Sequence, residues 1–231
     1  MAEIRPPQLQ GGVKQYGRID LVICLDTTGS MDPILDAVRD HIVSHLIGEM
    51  KGQLSRNQMP LEWRARVIGY GDLDADPFYT TTFTTDEGEL VRYIRNVSRS
   101  GGGTEYSLDA LLTAGRSPWR DDAPTHRIVV LFTDEPSHPR LHSSNGGGNA
   151  QTVIDELAAQ RVKLFLFGAE DPTFNELRKL PKSEITLFPE SDIHAMLAKL
   201  DFRKIFEQMA KTISEVMVKS PATPSLPSRS I

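Results

Sequence analysis

Asp26, Thr28 and Ser30 stand at alternate positions where an apolar run ends, within IDLVICLDTTGSMD at residues 19–32. A carboxylate and two hydroxyls presented from one tight turn are hard oxygen donors. Such a set suits a Mg²⁺-class ion, which takes oxygens at about 2.1 Å and keeps some of its water. Two further strand-like runs close on an aspartate: EWRARVIGYG (62–71) precedes Asp72, and RIVVLFT (127–133) precedes Asp134. In an open parallel sheet, ligands bind where strands finish at their carboxyl edge, so the three acids are expected on one rim. Carboxylates crowded there repel one another unless a cation neutralises them. The residue types ask for a metal without saying what it is for.

Holding those residues on one rim requires alternating strands and helices. The first strand is read at about Ile19–Leu25. From Asp32 to Met50 the apolar positions Leu35, Val38, Ile42, Leu46, Ile47 and Met50 keep helical spacing, with Asp32 as N-cap and Pro33 at the first helical position. Glu62–Gly71 is the second strand, and Phe78–Thr85, rich in Thr and aromatics, a short edge strand. Helices are expected over Asp86–Val97 and Tyr106–Gly115. Arg127–Thr133 is continuously apolar, as a strand covered on both faces must be. A helix at Ala150–Gln160, a strand at Val162–Phe167, a short helix from Asp171-Pro172, a strand at Ile185–Phe188 and a long amphipathic helix over Asp192–Lys219 complete the pattern. Buried strands joined by helical crossovers make one three-layer, doubly wound α/β domain, mostly parallel with one short antiparallel edge strand. The expected domain runs over 18–219, after a flexible leader at 1–17 and before a disordered Pro- and Ser-rich tail at 220–231.

The composition is that of an ordinary globular chain of 231 residues, 39% hydrophobic and 25% charged. A net charge of −5 argues against a non-specific nucleic-acid binder. The single cysteine, Cys24, lies inside the first apolar run, so it forms no internal disulfide and reads as a buried core thiol. No run is long enough to span a membrane and the first residues lack an apolar signal core, so a cytoplasmic protein is the expectation.

DTTGS at 26–30 matches the Asp-x-Ser/Thr-x-Ser signature of von Willebrand factor type A domains, GGGTE supplies Thr104 in a mid-domain loop, and LFTDE supplies Asp134. The chain therefore resembles that family over about residues 18–218. The resemblance implies a Rossmann-like fold carrying a metal-ion-dependent adhesion site. Thr28, Ser30 and Thr104 would touch Mg²⁺ (or Mn²⁺ or Ca²⁺), and Asp26 and Asp134 would reach it directly or through water. One position would stay open for an Asp or Glu carboxylate of a partner protein. Asp72 lies where some members carry an acid close to the ion; a plain surface loop explains it equally well. The implied role is a non-catalytic adaptor, inside the cell, beside a MoxR-type AAA+ ATPase or in a stress or defence system, with neither nucleic acid nor membrane as partner.

Simpler readings compete at each point. Ser30 or Asp32 as a helix cap explains either alone, but not Asp26, Thr104 and Asp134 together. His138 and His142 are four apart, yet Pro139 and the polar context make them solvated loop residues rather than zinc ligands. DLDAD (72–76) lacks the glycine and the glutamate of a Ca²⁺ loop. The rival from another class is enzymatic: DTTGS also resembles the aspartate loop of haloacid-dehalogenase-type phosphohydrolases, with Asp26 as nucleophile and GDLDAD as the later acidic element. That reading lacks the usual second aspartate, because Thr28 holds its place, and it leaves Thr104 and Asp134 unused.

Overall fold

The computed structural model describes residues 17–75, 78–97, 105–122, 125–189 and 201–219. Strand β1 (Gly17–Asp26) leads through a 3₁₀ turn (Gly29–Met31) into helix α1 (Asp32–His41), a π-helical stretch (Ile42–Ile47) and α2 (Gly48–Arg56). Strands β2 (Leu61–Tyr70) and β3 (Tyr79–Thr80) follow, then α3 (Glu87–Arg95), α4 (Ser107–Gly115), β4 (His126–Phe132) and α5 (Ala150–Ala159). The chain continues with β5 (Lys163–Ala169), α6 (Pro172–Glu176), β6 (Ser183–Phe188) and α7 (Phe202–Lys219). The sheet order is β3-β2-β1-β4-β5-β6. Every pairing is parallel except β2 with β3, an antiparallel edge that is only Tyr79–Thr80 rather than the expected Phe78–Thr85, Thr84 adding an isolated bridge to Ala65. Strand order reverses between β1 and β4, which is where such sheets open a crevice.

Alternation along the strands sorts the core into two layers. Ile19, Leu21, Ile23 and Leu25 face α1, α2, α3 and α7, whereas Val22 and Cys24 face α4, α5 and α6. Both faces are covered, so the central strands are apolar on both sides and β1 is buried at nearly every position. At the carboxyl end of β4, Phe132 stacks on Phe167 at 5.2 Å and meets Phe202 and Phe206 of α7 at 5.8 and 6.1 Å. Burying each such ring contributes about 1.5–3 kcal/mol, and together they make a stiff floor beneath the rim. At the other end of β1, the buried Asp20 carboxylate accepts from Arg64 Nε and Nη2 at 2.9 and 2.7 Å. It also accepts from Arg120 N and Nε at 2.8 and 2.7 Å, stitching β1, β2 and the approach to β4 together.

Several local expectations are revised. The run 32–50 is not one regular α-helix, because residues 42–47 adopt π geometry. Asp32 is the first residue of α1 and not its cap: the 3₁₀ turn keeps Met31, the cap position, already helical. Gly17 begins β1 and so does not belong to a leader. Capping at other helices follows the sequence, with Asp86, Asn149 and Asp171 each accepting from a first-turn backbone N–H. Residues 1–16, 192–200 and 220–231 lie outside the described residues, and with them the rest of the leader, the start of the last helix and the tail. Among the described residues no helix is long and apolar enough to cross a membrane.

Candidate metal centre at the carboxyl rim

The register of the sheet sets the site. Leu25 pairs with Phe132 and Asp26 with Tyr70, so the next residues of β1, β2 and β4 emerge together at the rim. Asp26 is wholly buried, and three donors hold its carboxylate. Its Oδ1 accepts from Thr28 N at 2.9 Å and Thr28 Oγ1 at 2.8 Å, the geometry that the tight turn of DTTGS enforces. Its Oδ2 accepts from Thr133 Oγ1 at 2.8 Å, across the gap to β4. Thr133 Oγ1 in turn accepts from Glu135 N at 3.2 Å, which shapes the loop that carries Asp134.

Thr28 Oγ1 and Ser30 Oγ lie 3.2 Å apart. Because the single Thr28 proton goes to Asp26, Ser30 is the donor between the two hydroxyls, and Ser30 keeps lone pairs to offer. Asp134 is only 1% exposed, on the adjoining loop. Its charge acts on Asp26: burial foremost, opposed by the Thr28 and Thr133 donors and reinforced by Asp134, pushes Asp26 up to about 6. Beneath them the Tyr70 hydroxyl, buried and beside Asp26, is held well above the ordinary phenol range.

The structure thus brings Asp26, Thr28, Ser30 and Asp134 to one rim. Thr104, the remaining expected ligand, lies outside the described residues; its neighbour Glu105 lies inside them. Asp72 sits in the loop after β2 and its carboxylate accepts from Asp74 N at 2.9 Å, a turn-forming bond, while its charge also bears on Glu105.

Two residues escaped the sequence reading. Thr133 anchors Asp26, and its only sequence signal is a hydroxyl directly before Asp134. Glu105 is 0% exposed, and burial together with Asp26, Glu135, Asp134 and Asp72 pushes it up to about 9. The histidines are also not merely solvated: His138 stacks on Tyr106 at 4.9 Å, and His142 Nε2 lies 3.1 Å from Asp74, which accepts from Tyr106 Oη at 2.8 Å.

The donor chemistry fits a hard divalent cation: neutral hydroxyls and buried carboxylates, with Asp26 and Glu105 driven upward by burial first and then by neighbouring acids. Among the described residues no three His, Cys, Asp or Glu side chains form a metal-holding group by themselves. A cation at this rim would therefore rely on the hydroxyls as much as on the acids.

The profile of the von Willebrand factor type A domain matches residues 20–201. The chain belongs to that family. A curated relative, the alpha-protein kinase vwkA of Dictyostelium discoideum, is 26% identical over 155 residues, covering 63% of this chain and 24% of its own length. The chain thus spans about a quarter of that kinase. Among solved structures, the proximal thread matrix protein 1 of the mussel byssus superposes with a TM-score of 0.52 at 13% identity, over 85% of this chain and 49% of that one. At that identity the likeness concerns the fold alone.

Proposed function

We propose that this type A domain is a divalent-metal-dependent protein-binding module. Asp26, Thr28, Ser30, Thr104 and Asp134 would hold Mg²⁺, Mn²⁺ or Ca²⁺, and a partner protein would supply an Asp or Glu carboxylate. The metal would supply one hard, electrophilic contact point at the rim. The chain's own residues do the rest. Thr28 and Thr133 fix the Asp26 carboxylate from two sides, and Thr28 holds Ser30 beside it, so the oxygens are set before any ligand arrives. Prearranged donors spare the ordering cost that binding would otherwise carry.

The observation that carries this reading is the convergence of Asp26, Thr28, Ser30 and Asp134, from two adjoining strand ends, at the crevice where strand order reverses. Membership of the type A family supports an interaction role in general. Placement in an intracellular adaptor, beside a AAA+ ATPase or in a stress or defence system, is our extension of that role. Absence of catalysis is likewise part of the proposal. The phosphohydrolase alternative draws no support from the family match, and it would require as nucleophile a carboxylate whose two oxygens already accept three hydrogen bonds.

The test is capture from lysate by the immobilised chain. Retention in Mg²⁺ that disappears in EDTA and in Asp26→Ala supports the proposal. Undiminished capture in EDTA removes it, and Mg²⁺-dependent phosphoester turnover abolished by Asp26→Asn would favour the enzyme.

A further inference from the structure

The backbone around Glu105 is laced across the rim. Tyr106 N donates to Gly71 O at 3.2 Å, in the loop leaving β2. On the other side His138 N donates to Glu105 O at 2.7 Å, and Glu105 bridges Ser137 in the loop leaving β4. Strand β1 lies between β2 and β4. A segment tied to the exits of both neighbours must therefore pass over the end of β1, where Asp26 stands.

Glu105 is completely buried there, and neither of its carboxylate oxygens has a hydrogen-bond partner among the described residues. A buried carboxylate with no donor is expensive, by more than the neutral-group penalty of about 1–3 kcal/mol. Among the described residues no donor offsets that cost. The charges that act on it most strongly among the described residues are Asp26, Glu135, Asp134 and Asp72, all acids. Its place two residues before α4 offers at most about 1 kcal/mol from the helix dipole, and no backbone N–H of α4 donates to it. A side chain kept in such surroundings is accounted for by a positive charge that the surroundings receive.

The geometry points to Glu105 as a third carboxylate of the cation site, which keeps the ion in place when no partner is docked. This rests on the reading of the rim as a metal site. Since among the described residues no three acids form a metal group by themselves, Glu105 acts through its charge rather than by completing an all-acid ligand set. Cation affinity at oxygen sites rises with the number of negative charges around the ion. The chain would then carry its own ion to the partner.

The experiment is a Mn²⁺ titration of wild type, Asp26→Ala, Glu105→Gln and Glu105→Asp, followed by calorimetry at pH 7.5, with melting curves in EDTA. Glu105→Gln is expected to weaken Mn²⁺ binding about tenfold or more, while melting in EDTA at pH 7.5 no lower than wild type, because Gln matches the protonated, neutral side chain that Glu105, raised to about 9, keeps there without a cation. Glu105→Asp, keeping the charge, is expected to retain more affinity than Glu105→Gln. A Glu105→Gln protein that binds Mn²⁺ within threefold of wild type overturns the inference and leaves the metal site standing. Failure of Glu105→Gln to fold, or equal losses in the Asp and Gln variants, overturns it too, since either assigns Glu105 to packing. Absence of saturable Mn²⁺ binding by wild type would instead overturn the metal site and this inference with it.

Discussion

Thr133→Val isolates the contact that reaches across the crevice from β4 to β1. The substitution keeps the shape and removes the hydroxyl that donates to Asp26 Oδ2 at 2.8 Å and accepts from Glu135 N at 3.2 Å. At pH 7.5 Asp26, raised to about 6, is ionised, so the lost bond is one to a charged acceptor, about 1.5–3 kcal/mol. The extra buried methyl returns less than about 1 kcal/mol. The net cost is about 2 kcal/mol, and for a chain of this size each kcal/mol lowers Tm by about 2–4 °C. Differential scanning calorimetry in EDTA should therefore show a fall of roughly 4–8 °C. Thr133→Ser, which restores the hydroxyl, should recover most of it. A Val variant melting within about 1 °C of wild type would refute the assignment, as would a Ser variant melting as low as Val.

Asp20→Ala leaves Arg64 and Arg120 without the buried carboxylate that accepts four of their hydrogen bonds. Breaking such a pair costs about 3–5 kcal/mol, so Tm should drop on the order of 10 °C; a change under about 3 °C would contradict it. Burial raises Asp20, but the Arg64 and Arg120 donors outweigh it and hold the group below its ordinary value. The stability Asp20 contributes is thus present above about pH 4 and lost as pH falls through its lowered native value. Glu105, at about 9, and Asp26, at about 6, act in the opposite sense. Both lie above the ordinary carboxylate range near 4, so the folded chain binds more protons than the unfolded one, and stability in EDTA declines as pH rises from about 5 to 9. A melting temperature in EDTA that is flat or rising from pH 6 to 9 would contradict that. Cys24, buried and pushed up to about 12, should react with a thiol reagent such as Ellman's only on unfolding; prompt labelling of the native chain would place it elsewhere.

The fold was legible wherever burial on both faces left a continuous apolar run. RIVVLFT reads as an interior parallel strand, and it is one: β4 lies between β1 and β5. The π segment at 42–47 was not legible, because moving each hydrogen bond along by one residue leaves the amphipathic stripe of Ile42, Leu46, Ile47 and Met50 intact. The cap of α1 was missed because the 3₁₀ turn, which DTTGS itself sets up, shifts the helix start by one residue. At the rim, Asp26, Thr28 and Ser30 were readable because their partners lie within a few residues. Thr133 was not, since the carboxylate it serves is 107 residues away. Glu105 was hidden by its neighbour: a resemblance resting on Thr104 draws the eye one residue short. Only strand order shows that the same segment crosses the end of β1.

The central claim is that a hard cation binds where β1 and β4 end. Diffraction from a crystal soaked in MnCl₂, recorded at the manganese edge, tests it most directly. The account predicts one anomalous peak at about 2.2 Å from the hydroxyl oxygens of Thr28 and Ser30, beside Asp26 and Asp134, and none in Asp26→Ala. A map with no peak at that rim, or with its only peak elsewhere on the domain, would contradict it.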